Sequence, residues 1–136
     1  GLRSVTEVLR FRVGETLNAV REDCTVADAL RTTGSGRRAG ALVIVDAAGR
    51  LSGIFTDGDL RRRVNELGAA LLTKRVSEVM TARPSSLASD ALVRDAVQLV
   101  RERRLDEIPV VDGEGRPLGL IDVQDLVSMK VIDLDG

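Results

Sequence analysis

Apolar residues recur along this chain first at helical and then at strand spacing, and that succession occurs twice. Val26, Ala29 and Leu30 share one helical face and Thr25 stands at the N-cap position, so a helix is expected over Thr25 to Thr33. Gly34-Ser35-Gly36-Arg37-Arg38 breaks it. Ala41 to Val45 is a short apolar run rich in β-branched residues, the pattern of a buried strand. Asp46-Ala47-Ala48-Gly49 reads as a turn and Leu51 to Phe55 as the returning strand of a hairpin. Leu60 and Val64, four apart, place a helix over Asp57 to Asn65. After Gly68 to Arg75, read as a link, the order returns. Leu92, Ala96, Leu99 and Val100 mark a helix from Leu92 to Arg103. Strands Ile108 to Val111 and Leu118 to Ile121 flank the turn Asp112-Gly113-Glu114-Gly115, and Val123 to Met129 closes as a helix. Pro109 has no N–H to give a ladder and is expected at a sheet edge or strand start. The tail Val131 to Gly136 is expected to fray.

The two passages match residue by residue. Arg37 to Leu60 and Arg103 to Leu126 align without a gap, and nine of 24 positions are identical, among them Asp46/Asp112, Gly49/Gly115, Gly53/Gly119 and Asp59/Asp125. Val5-Thr6-Glu7-Val8 echoes Val76-Ser77-Glu78-Val79, and Val26, Asp28 and Ala29 echo Val93, Asp95 and Ala96. The expectation is an α+β fold of two repeats, 5–67 and 76–130, joined by a linker at 68–75. Units of about 60 residues bury only about 60% of their unfolded surface, so each gains by packing on the other. A duplication packed in that way has a pseudo-two-fold axis, and the cleft on that axis is where function is sought.

Composition narrows the chemistry. The 136 residues carry a net charge of −1, which gives no electrostatic pull toward nucleic acid or membrane. Phe11 and Phe55 are the only aromatic residues, too few for a base-stacking platform. The absence of histidine removes the commonest general base and metal ligand, so neither catalysis nor a metal centre is expected. One cysteine, Cys24, fits a reducing, cytoplasmic setting and reads as a small buried apolar residue, as Met80 and Met129 read as core filler. The chain opens on Gly1 rather than Met, so a piece of a longer protein is expected.

Chemistry concentrates in Gly53-Ile54-Phe55-Thr56-Asp57-Gly58-Asp59-Leu60. Thr56 is placed to cap a helix whose N-terminal amides and hydroxyl could seat a phosphate. Ionised Asp59, acceptor only, suits the two hydroxyls of a ribose. Gly53 and Gly58 would allow close backbone approach. Arg61, with Arg37, Arg38, Arg103 and Arg104 before the central strands, could neutralise phosphate or stand as solvated surface. In repeat two the carboxylate recurs at Asp125, but the hydroxyl is replaced by Asp122, which repels phosphate.

The hairpin, the Gly-Ile-Phe-Thr-Asp-Gly-Asp segment and Ile108-Pro109 before Val110-Val111-Asp112 resemble a tandem pair of CBS domains, over about Val5 to Met129. The resemblance implies a regulatory, non-catalytic module that binds adenine nucleotides or related ligands between the repeats. It implies Thr56 on phosphate, Asp59 and Asp125 on ribose, and Asp57, Ile108, Pro109 and Asp122 in the site walls. It also implies a homodimer of pairs and requires no cofactor. The wording of Gly53 to Arg62, and of Asp122-Val123-Gln124-Asp125-Leu126, is similar to the CBS pair that ends bacterial arabinose-5-phosphate isomerases. That likeness implies a parent in which an N-terminal sugar-isomerase domain catalyses a step toward the lipopolysaccharide sugar Kdo. The ligand it implies is AMP, ATP or a cytidine nucleotide-sugar. The alternative is a ligand-free oligomerisation or docking element.

Overall fold

The computed structural model describes residues 3–32 and 39–129. Two four-stranded sheets carry helices on their outer faces. One sheet has the order β2 (Ala19–Arg21), β3 (Ala41–Val45), β4 (Leu51–Thr56), β5 (Thr81–Ala82), and the other β1 (Phe11–Arg12), β8 (Pro117–Asp122), β7 (Glu107–Val111), β6 (Leu87–Ala88). The hairpins expected from sequence form their centres: β3 (Ala41–Val45) with β4 (Leu51–Thr56), and β7 (Glu107–Val111) with β8 (Pro117–Asp122). Helix α1 (Val26–Arg31) and α2 (Asp57–Leu67) belong to the first sheet, and α4 (Val93–Arg103) and α5 (Val123–Ser128) to the second. Strand alternation sorts the side chains into layers. Leu42, Ile44 and Phe55 pack outward with Val26, Ala29 and Val76, while Ile108, Val110 and Ile121 pack outward with Val93, Ala96 and Leu126. Val43 and Ile54 from one sheet meet Leu120 of the other in a central layer completed by Phe11 and Leu17.

Sequence repeats and packing units do not coincide. Strand β1 (Phe11–Arg12), early in repeat one, pairs with β8 of repeat two, and β5 (Thr81–Ala82), early in repeat two, pairs with β4 of repeat one. Strands β2 (Ala19–Arg21) and β6 (Leu87–Ala88) add in parallel to β3 and β7. The exchange is fastened symmetrically. Val5 N donates to Ala91 O and Val93 N to Arg3 O, while Val76 N donates to Cys24 O and Val26 N to Lys74 O. The short turn Val5–Val8 therefore sits in the core of the second sheet, and α3 (Val76–Val79) in that of the first.

Several expectations need correction. Residues 68–75, read as a link, include a 3-10 helix (Gly68–Thr73) whose Leu71 is 1% exposed in the first core. Pro109 lies inside an inner strand, not at an edge or a strand start. It is tolerated because it needs no donor there. Val123 N bonds Asp106 O, so the alternation places Pro109 at a non-hydrogen-bonded position facing Leu120, and on the other side β6 first pairs at Val110. Of the two glycines expected to allow close approach, a Cβ on Gly58 would make only ordinary contact with Thr56, while Gly53, like Gly119, serves close approach to protein. A Cβ on Gly53 would lie 2.4 Å from Met80 Sδ and 2.8 Å from Thr81 O, and one on Gly119 2.4 Å from Phe11 O. Both glycines admit the exchanged strands. Cys24 is half-buried beside the first core, and burial with Asp28 and Asp23 nearby pushes its thiol pKa up. Met80 and Met129 pack against the two outer cores. The tail 131–136 lies outside the described residues.

Candidate functional site: the two carboxylates of the cleft

Thr56 ends β4 in extended conformation and α2 begins at the next residue, so its side chain faces the open amides of the first turn. Asp59 N donates to Thr56 Oγ1 at 2.9 Å, and Asp59 Oδ2 accepts from Thr56 N at 3.0 Å, a reciprocal capping box. Asp59 is 5% exposed, and its burial is balanced by donors from three directions. Besides Thr56 N, it accepts from Thr81 Oγ1 on exchanged strand β5, 3.3 and 3.4 Å from its two oxygens, and from the Arg62 guanidinium one turn on. The hydroxyl and carboxylate singled out from sequence thus lie together, but the carboxylate already has protein partners.

The phosphate seat needs the same adjustment. Asp57 N, expected to face a ligand, donates to Gly40 O as the last rung of the hairpin, and Asp59 N is taken by Thr56. The Thr56 hydroxyl proton remains for a ligand. Beside it opens a cavity of about 80 Å³ walled by Leu30, Ala39, Ala41, Leu42, Phe55 and Leu60, with Thr56 and Asp57 on its lining. Full ligand pockets run to roughly 300–1,000 Å³, so this one has room for only part of a ligand.

Repeat two holds its corresponding residues differently. Asp122 caps α5 by accepting from Gln124 N at 2.8 Å. Asp125 forms an ion pair with Arg10 at 2.9 Å, and the Arg10 guanidinium lies 4.5 Å from the Phe11 ring centroid. Arg10 precedes β1 as Thr81 opens β5, so each cleft carboxylate meets a side chain from an exchanged segment.

Besides Thr81 and Arg10, a third residue at this site was not singled out from sequence. Glu107 opens β7 opposite Asp122, and a Cβ on Gly40 would lie 3.7 Å from its Oε1 and 3.6 Å from Asp57 Oδ2. Carboxylates of both repeats therefore crowd one small space. Burial first, then the charges of Asp106, Asp122, Asp57 and Asp59, push the Glu107 pKa up to about 7. The only sequence signal was the acidic pair Asp106-Glu107 standing where repeat one has Gly40-Ala41.

The remaining assignments divide. Ile108 is 1% exposed and packs in the outer core, and Pro109 is fully buried, so both shape the strand from within rather than offer a side-chain surface. Arg103 donates to Ser85 Oγ at 2.9 Å, and Arg104 closes α4 in a left-handed conformation with φ 53°. Arg61 lines an open groove on the outer side of α2 with Gly58, Arg62, Val64 and Asn65. None of these three is brought to Thr56 by a contact seen here. Arg37 and Arg38 lie outside the described residues.

Comparison with known proteins agrees with this architecture. The CBS domain family matches residues 15–66 and 76–131. Arabinose 5-phosphate isomerase KdsD of Pseudomonas aeruginosa is 31% identical over 122 residues, which cover 90% of this chain and 37% of that protein. The chain thus spans just over a third of the length of curated relatives that it matches over nearly all of its own. Among solved structures, the CBS-domain protein ATU1752 of Agrobacterium tumefaciens has a TM-score of 0.76 at 28% identity and covers 96% of each chain. The cytosolic domain of the Mg2+ channel MgtE, solved with ATP, has a TM-score of 0.70 at 28% identity, covering 88% of this chain and 46% of that one. A repeated family match over most of the chain, on two sheets that exchange their first strands, establishes that this chain belongs to the CBS domain family, as a tandem pair.

Proposed function

We propose that the chain is the ligand-sensing module of a sugar-phosphate isomerase of the arabinose-5-phosphate isomerase type. It binds a nucleotide or nucleotide-sugar in the cleft and is not itself a catalyst. The observation that carries this is the juxtaposition of the Thr56 hydroxyl, the Asp59 carboxylate bonded to it and a small cavity lined by Thr56, Asp57 and apolar side chains of repeat one. Phosphate would take the hydroxyl proton, the ring edge would enter the cavity, and ribose hydroxyls would replace Arg62 on Asp59. Arg62 is 60% exposed, so it can leave without unpacking the core. The ATP held by the MgtE domain supports an adenine nucleotide. A cytidine nucleotide-sugar would be the matching signal if the parent makes Kdo precursors. Two such pairs would associate as a homodimer beside an N-terminal catalytic domain in the cytoplasm. Equilibrium dialysis with radiolabelled ATP, competed by AMP, CMP and the cytidine nucleotide-sugar of Kdo, tests this. Competition that weakens in Thr56→Val is expected; no bound nucleotide at millimolar concentration would overturn it.

A second reading has its own observation. Asp59 is 5% exposed and fully engaged, as a structural carboxylate would be. On that reading the pair is a docking element, and Asp59→Asn lowers stability without touching any ligand response.

A further inference from the structure

We infer that Arg10 is a built-in latch on the second half of the cleft, holding Asp125 so that the pair takes one ribosyl ligand rather than two. The inference rests on the proposed nucleotide reading of the first half. The two cleft carboxylates are equivalent by the duplication, yet they are held differently. Asp59 meets the small neutral hydroxyl of Thr81 at 3.3 to 3.4 Å. Asp125 meets a full positive charge, the Arg10 guanidinium, at 2.9 Å. A ribose needs a carboxylate as acceptor for both its hydroxyls. A guanidinium already on Asp125 competes for the same lone pairs with a charge-assisted bond, roughly twice as strong as a neutral one.

Asp59 also carries an arginine, but the anchoring differs. Arg62 belongs to the same helix, three residues on, and is 60% exposed, so it swings away at little structural cost. Arg10 is fixed at both ends. Its guanidinium lies over the Phe11 ring at 4.5 Å, a cation–π contact, and its carbonyl accepts from Thr16 Oγ1 at 3.0 Å. Phe11 is itself 4% exposed and locked in the central layer, paired with Leu120 on β8. Moving the Arg10 guanidinium, 42% exposed, off Asp125 therefore gives up the ion pair and the cation–π contact together.

The latch also sets which ligand the second half would admit if opened. Asp122 stands where repeat one has Thr56, so a phosphate there would face a carboxylate. An uncharged ribonucleoside meets no such repulsion, which makes adenosine the suitable probe. The experiment counts adenosine bound per chain by isothermal titration calorimetry in the wild type and in Arg10→Thr. The substitution installs the residue type that serves at Thr81, so it is compatible with this fold. Arg10→Gln replaces it should the first variant fail to fold. The expected result is one equivalent in the wild type and one more in the variant. An unchanged count in the folded variant, or two equivalents already in the wild type, would overturn the latch. A parallel titration of the wild type with AMP reads the first half of the cleft, so zero AMP bound there overturns the nucleotide reading. The difference between the two counts reads Arg10.

Discussion

Thr56 and Asp59 bind each other twice, backbone to side chain in both directions, at 2.9 and 3.0 Å. That box starts α2 and also brings together the hydroxyl and the carboxylate of the candidate site. Thr56→Ala removes one half. Losing an N-cap costs about 0.5–2 kcal/mol, which lowers the midpoint by about 2–4 °C per kcal/mol at this size. Thr56→Ser, which keeps the acceptor, should stay near wild type. Heat unfolding followed by circular dichroism separates the two.

The glycines that admit the exchanged strands give a sharper contrast. Gly119→Ala drives a methyl to 2.4 Å from the Phe11 carbonyl, a backbone atom that cannot step aside. Gly53→Ala meets flexible Met80 first, with Thr81 O behind it at 2.8 Å. Overpacking of this kind costs about 1–3 kcal/mol, with Gly119→Ala expected to be the worse. Gly113→Ala, with nothing within 4 Å, should be nearly silent. Urea unfolding midpoints of the three variants check the order.

Leu71 tests whether residues 68–75 only connect. At 1% exposure in the first core, Leu71→Ala should cost about 2–5 kcal/mol. A cost below about 0.5 kcal/mol, usual for surface sites, would return that stretch to a passive linker.

What the sequence disclosed, and what it withheld, follows from range. The hairpins were legible because their turns are chemically explicit. Asp46 Oδ1 accepts from Ala48 N and Arg50 N, and Asp112 Oδ1 from Glu114 N and Arg116 N, the same local pattern in both copies. Those amides hold the Asp112 pKa below the usual carboxylate range. The Thr56 cap was legible where strand hands over to helix, but the return bond from Thr56 N to Asp59 was not read, because Asp59 was assigned to a ligand. The exchange of β1 and β5 was not legible, because two-residue strands carry no period and their partners lie far away in the chain. Reading Gly53 as facing a ligand followed from that omission, since nothing nearby in sequence announces Met80 and Thr81. Arg10 was passed over for the same reason: its meaning depends on Asp125, 115 positions later.

Glu107 makes stability depend on pH in a defined direction. Its folded pKa, about 7, stands above the ordinary value of 4.5. Between those values the folded state holds a proton that the unfolded state has released, so its contribution falls as pH rises through that window. It is fully present below about pH 4.5 and lost above about pH 7. Glu107→Gln cannot lose a proton, so the variant should gain on the wild type from pH 5 to 8. Midpoints measured at pH 5, 6, 7 and 8 show whether the two curves diverge; parallel curves would contradict the assignment.

On the proposed function, one end of this cleft senses a nucleotide through Thr56 and Asp59. The direct measurement is a thermal-shift titration of the chain and of Asp59→Asn with AMP, ATP, CMP and the cytidine nucleotide-sugar of Kdo. A ligand at 100 times its dissociation constant adds about 2.7 kcal/mol, which at about 2–4 °C per kcal/mol is a rise of several degrees. One of these ligands is expected to give that rise in the wild type and little of it in Asp59→Asn. No rise with any of them at millimolar concentration, or an equal rise in both proteins, would contradict it.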